Sequence, residues 1–149
     1  MVNVLYDTNI LIKIVRDKST TERVRKLVNP RNELEYTSLI NKAEILSIAM
    51  QNNWGLTRRN RLEKLFNEIV VVDISGEQIL NSYINIDAFS QGKYPLVKLS
   101  GSAKNMGKND IWIAATASVF DLLLITTDKD FDHLEGVLLN RVLFDPAKL

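Results

Sequence analysis

The sequence predicts an α/β fold, a single three-layer α/β/α domain with a mainly parallel central sheet. Three observations predict it. Short apolar runs alternate along the chain with longer amphipathic ones, which is the rhythm of strand and crossover helix. The short runs are continuously apolar, as in strands covered on both faces. No repeat, low-complexity tract or linker interrupts residues 1–149, so one domain is expected.

The elements follow in order. Residues 2–6 read as a buried strand and 8–17 as a helix. A second helix covers about 20–29, with Ser19 and Glu22 at capping-box spacing. Asn29-Pro30-Arg31-Asn32 is a turn, 34–37 a short strand, and 39–53 a helix broken by Gly55. A further helix at 57–67 leads into an apolar strand at 69–73. Ser75 and Gln78 form another capping-box pair and open a helix reaching about residue 90. Residues 92–108 are the long irregular stretch, with three glycines, a proline, four lysines and no acid. Helix 109–120, strand 122–126, a short helix at 128–134 and a last strand at 137–143 complete the chain.

Composition narrows the chemistry. With 149 residues and 46% apolar content, the chain can bury a core without staples. It has no cysteine, which excludes disulfides, thiolate-ligated zinc, iron–sulfur clusters and a cysteine nucleophile. A net charge of +1 announces no global attraction to nucleic acid or membrane, so any such contact must be local. Asp7 and Asn9 break the first apolar run, and no window approaches a membrane span. The expected location is the cytoplasm.

The acids carry the functional signal. In open α/β sheets, ligands bind beyond the carboxyl ends of the strands at a topological switch point. Asp7 follows the first strand directly; Asp128, with Asp130 two residues on, follows the strand at 122–126. Asp110 opens a helix that carries no other charge before Asp121, so it is held near the domain centre. Glu44 shares a helix face with Ile40 and Ile48, where a carboxylate is costly unless paired or metal-bound. Capping alone accounts for any one of Asp7, Asp110 or Asp128. Four separated acids converging on one edge ask for a shared cause. Converging carboxylates repel unless some protonate or a hard cation neutralises them. Oxygen-only ligands suit Mg²⁺ or Mn²⁺, the cations of phosphate chemistry.

Asp7-Thr8-Asn9, Ser38-x-x-Asn41-x-x-Glu44, Asn109-Asp110 leading into Ile113-Ala114-Ala115-x-Ala117, and Thr126-x-Asp128-x-Asp130-Phe131 resemble the motifs of PIN-domain ribonucleases. In order and extent they are most similar to VapC-type toxins of bacterial toxin–antitoxin pairs. The resemblance implies a metal-dependent endoribonuclease in which Asp7, Glu44, Asp110 and Asp128 hold one or two Mg²⁺ or Mn²⁺ ions. A water activated by the metal would open the phosphodiester in line, leaving a 5′-phosphate and a 3′-hydroxyl. Asp130 is an extra or substitute acid, and Thr8, Asn9 and Thr126 support the acids by hydrogen bonds. The resemblance also implies an RNA substrate, a small antitoxin partner and a homodimer.

Two departures stand out. Asn41 occupies a position where the family commonly has Ser or Thr, and 92–108 is longer than the equivalent connection in compact toxins. Its Lys93, Lys98, Lys104 and Lys108, with Tyr94, are candidate RNA-backbone contacts; the bland alternative is a solvated loop. Competing functions fit less well. A phosphoacceptor receiver domain wants paired early acids, and a haloacid-dehalogenase-type phosphatase wants a second acid where Asn9 stands. A non-catalytic PIN-like scaffold binding RNA or protein is the alternative, and such scaffolds usually lack one of the acids.

Overall fold

In the computed structural model, which describes residues 2–149, the strands are β1 (Val4–Tyr6), β2 (Glu35–Ser38), β3 (Val70–Val72), β4 (Leu123–Thr126) and β5 (Asn140–Leu143). They form one sheet in the order β3-β2-β1-β4-β5. Every pairing is parallel, so the sheet is wholly rather than mainly parallel. The helices are α1 (Thr8–Val15), α2 (Lys18–Val28), α3 (Leu39–Gln51), α4 (Leu56–Glu68), α5 (Glu77–Ser90) and α6 (Lys108–Val119). Two 3₁₀ segments, Lys129–Leu134 and Pro146–Lys148, follow β4 and β5.

The strands' period of two divides the core into two halves. Val4 and Tyr6 of β1 and Ile125 of β4 face α1, α2 and α4, packing on Ile10, Leu11, Ile14, Val24 and Leu65. Leu5 and Leu124 face the other way, onto Ile86 and Phe89 of α5 and Ile113, Ala114 and Ala117 of α6. The alanines let α6 lie close to the sheet, as the sequence predicts.

Several boundaries differ from expectation, each for a local reason. Helix α2 starts earlier because Asp17, not Ser19, is its cap: Asp17 accepts from Thr20 N at 3.0 Å and from the Ser19 hydroxyl at 2.6 Å. Helix α5 begins at Glu77 behind Gly76, without a side-chain cap. Ser75 is taken by Asp73, to which its hydroxyl donates at 2.7 Å. A capping box does occur at α3, between Ser38 and Asn41. The last strand starts at Asn140, three residues late, because 135–139 form a turn with Gly136 at φ 76°.

The chain runs outward from β1 to β2 and β3, then returns to place β4 on the other side of β1. The switch point therefore lies between β1 and β4, where Tyr6 pairs with Ile125. No described helix is long and apolar enough to cross a membrane.

Candidate active site

Asp7 caps α1 at this switch point and is 5% exposed. Its Oδ1 accepts from the Thr8 backbone at 2.8 Å and from Asn41 Nδ2 at 3.0 Å. Its Oδ2 accepts from the Thr126 hydroxyl at 2.6 Å. Both oxygens are thus held from three elements. The donors are ordered too: Ser38 donates to Asn41 Oδ1, and the Asn41 amide also donates to Thr8 Oγ1 at 3.0 Å. The Thr8 hydrogen is then directed to Glu44 Oε1 at 2.7 Å. An amide at position 41 makes two donations at once, so the departure from Ser or Thr is absorbed without leaving a buried group unpaired.

Glu44 projects from the second turn of α3, half-buried, and also accepts from Asn109 Nδ2 at 3.3 Å. Asp110 lies in the first turn of α6, which runs back toward the start of β4, so its N-terminus sits at the carboxyl edge of the sheet. Asp128 caps the 3₁₀ segment after β4, its Oδ1 accepting from Asp130 N at 2.8 Å. Its own N–H donates to Thr126 Oγ1 at 3.0 Å. Thr126 therefore links the two strand ends, donating to Asp7 and accepting from Asp128. Asn9 does not join: it is exposed on α1 and makes no hydrogen bond to the acids. The supporting role falls to Thr8, Asn41 and Thr126, with Asn109 added.

Asp110, Asp128 and Asp130 each offer a carboxylate oxygen within 4.8 Å of the others. Among the described residues, no lysine or arginine forms an ion pair with Asp7, Glu44, Asp110, Asp128 or Asp130. Burial pushes the Asp7 carboxyl up, against the pull of the Thr126 and Thr8 donors. Burial likewise pushes Asp110 up to about 7, and the neighbouring Asp128, Asp7, Glu44 and Asp130 add to it. Such a cluster lacks a counter-charge. Its oxygen-only donor set fits a hard divalent cation.

Replacing Thr126 with Val keeps the shape but leaves Asp7 Oδ2 and the Asp128 N–H without their partner. Thr126→Val is expected to cost about 1–3 kcal/mol of stability. A urea midpoint unchanged from wild type would contradict that bridging role.

The sequence matches the PIN domain family profile over residues 4–137. The chain belongs to the PIN domain family. No curated protein matches it. Solved structures of toxin–antitoxin proteins share the PIN fold. VapBC2 from Rickettsia felis, bound to a DNA fragment from their promoter, superposes with a TM-score of 0.72 at 18% identity, covering 97% of this chain and 100% of that one. VapBC-1 from nontypeable Haemophilus influenzae gives 0.65 at 27% identity over 96% and 98%. VapBC-5 from Mycobacterium tuberculosis gives 0.63 at 18% over 97% and 100%.

In this PIN domain the four lysines of 92–108 are all exposed, Lys108 as the first residue of α6, but the segment bearing the other three is not loose. Leu99 is buried, Tyr94 and Met106 pack on the α5–α6 core, and Lys104 N donates to Ser90 O at 2.6 Å. Lys104 and Asn105 share a cleft of about 290 Å³ with Lys129, His133 and Asp130, so the loop borders Asp130 at the edge of the acids. His133 is half-buried rather than solvent-facing, 2.7 Å from the Ser90 hydroxyl. One polar residue at the site went unread in the sequence: Arg141 of β5, buried beneath the segment that bears Asp128 and Asp130. A lone cation inside the apolar run 137–143 was the available signal.

Proposed function

We propose that this PIN domain, read as one nuclease domain over residues 1–149, is a metal-dependent endoribonuclease and the toxin of a toxin–antitoxin pair. The observation that carries the reading is the convergence of Asp110, Asp128 and Asp130 within 4.8 Å at the switch point, with Asp7 and Glu44 outside that group but near enough to push Asp110 up, and with no basic partner. Asp7, Glu44, Asp110 and Asp128 would hold Mg²⁺ or Mn²⁺, with Asp130 as a further ligand. When bound, the cation polarises the phosphoryl oxygen, lowers the pKa of a water and offsets charge on the leaving oxygen. The chain's own part is preorganisation. Thr8, Asn41 and Thr126 fix the lone pairs of Asp7 and Glu44 before substrate arrives, so little rearrangement is left for the chemical step.

The loop supplies the substrate contact. Lys93, Lys98, Lys104 and Lys108 would meet phosphates of RNA flanking the scissile bond. Lys98→Ala with Lys104→Ala is expected to raise KM several-fold with kcat nearly unchanged. The log–log salt dependence of binding should shrink by about 1–2, roughly 0.7 per lost single-strand phosphate contact. An unchanged KM and salt slope would return the loop to a solvated connection.

VapBC complexes of the same fold support a small antitoxin partner. A homodimer is supported by α3, which exposes Leu39, Leu46 and Met50 along one face. The cytoplasm is the location in keeping with these partners. A non-catalytic scaffold would need none of the five acids, and all are in place. The test is cleavage of labelled RNAs by purified protein with Mg²⁺ or Mn²⁺ and with EDTA, beside Asp7→Asn. Metal-dependent cleavage absent from the variant supports the reading. Cleavage that survives EDTA or the substitution contradicts it.

A further inference from the structure

Arg141 lies on β5 in register with Leu124, a position whose neighbours form the α5–α6 core. Its side chain is only 4% exposed. A buried arginine is rare unless it is paired, and an apolar side chain in its place is often neutral or stabilising. The partners show what the guanidinium achieves instead. Nη1 donates to the backbone carbonyl of Asp128 at 3.3 Å and to Asp132 Oδ1 at 2.6 Å. Nη2 donates to Glu135 Oε2 at 2.6 Å. All three acceptors belong to one stretch, the cap, body and end of the 3₁₀ segment Lys129–Leu134.

Asp132 and Glu135 are themselves about half exposed, at 57% and 48%, so charge pairing alone would not require a buried cation. The segment needs such a clamp. Short 3₁₀ turns have poor internal hydrogen bonds. The other anchors of this one are the burial of Phe131 and Leu134, the His133 contact with Ser90 and the Leu134 carbonyl bonds to 137–139. All fall after Asp130, and Arg141 is the side chain that reaches back to the Asp128 carbonyl. With Arg141 on the Asp128 carbonyl and Thr126 on its N–H, the two peptide groups that flank the Asp128 Cα are both held. They aim Asp128 and, through the Asp128 Oδ1 to Asp130 N bond, Asp130 as well.

We propose that Arg141 is a positioning residue that holds the Asp128–Asp130 arm in the geometry for a divalent cation. The inference rests on the metal-nuclease reading above and goes beyond it in assigning the cation affinity partly to β5. It acts without touching the ion or the substrate.

The test is Mn²⁺ affinity, read by electron paramagnetic resonance or calorimetry without any RNA, for wild type, Arg141→Met and Arg141→Lys. Each protein's thermal midpoint is measured alongside. Arg141→Met is expected to fold and to bind Mn²⁺ about 10–100-fold more weakly, the usual loss when a support behind a metal ligand is removed. Arg141→Lys should fall between the two, because a point charge on a flexible stem cannot span three acceptors. Amide deuterium exchange at residues 128–131 should quicken in metal-free Arg141→Met. Wild-type Mn²⁺ affinity in Arg141→Met overturns the proposal, whatever happens to its thermal midpoint. Should Arg141→Met not fold, Arg141→Lys decides alone: a several-fold loss supports the clamp and wild-type affinity overturns it. A wild type that binds no Mn²⁺ overturns the metal reading and this inference together, whereas failure confined to the variants overturns only the inference.

Discussion

Asp110→Asn is expected to abolish metal-dependent cleavage while making the metal-free protein harder to melt. Asp110 is pushed up to about 7 from its ordinary 3.8 by burial and then by four neighbouring acids. The unfolded chain releases this proton near pH 4, and the folded chain keeps it to about pH 7. Between those values the native state binds more protons, so stability falls as pH rises through the window, and the full penalty stands above it. An amide removes the penalty. After discounting for screening at a partly exposed site, the gain at pH 7.5 is about 1–2 kcal/mol, or about 3–8 °C in Tm. At pH 4 it should vanish. In saturating Mn²⁺ the order should reverse, because wild type gains about 2.7 kcal/mol at a hundredfold excess over Kd and the variant gains little. Cleavage should drop by about 10³-fold or more, about 4 kcal/mol of barrier. A variant that melts below wild type without metal, and still cleaves, would contradict the assignment of Asp110 to an uncompensated cluster.

The second large effect is on metal binding itself. A ligand carboxylate must lose its proton before it coordinates, so binding releases protons and weakens as pH falls. With Asp110 near 7, about nine tenths of it is ionised at pH 8 and about one tenth at pH 6. Mn²⁺ affinity should therefore be about tenfold weaker at pH 6 than at pH 8. Burial pushes Asp7 up as well, so any proton it still holds adds to the release on binding. Calorimetry in buffers of different ionisation enthalpy measures the protons released. An affinity constant across this range would mean that Asp110 does not lie on the cation.

The layout was legible because continuous apolar runs and chain order determine it. Val4–Tyr6 and Leu123–Thr126 read as buried strands, and the acids that follow them stand at the same edge. Glu44 was legible as a carboxylate out of place on an apolar face. What supports the acids was harder to read, since a hydrogen bond depends on which of several nearby donors wins. Asp17 outcompetes Ser19 at one cap, Asp73 captures Ser75 at another, and Asn9 turns to solvent while Asn41 reaches Asp7. Arg141 escaped for a related reason. Its partners lie 6 to 13 residues away along the chain, across a turn that brings β5 beneath the acids.

The most direct measurement is anomalous diffraction at the manganese edge from crystals of the protein grown with Mn²⁺. The account predicts one or two ions beyond the carboxyl ends of β1 and β4, coordinated by oxygens of Asp110 and Asp128 together with Asp7, Glu44 or Asp130, and lost in Asp110→Asn. Ordered Mn²⁺ elsewhere, or none at these carboxylates in a protein that still cleaves RNA, would contradict it.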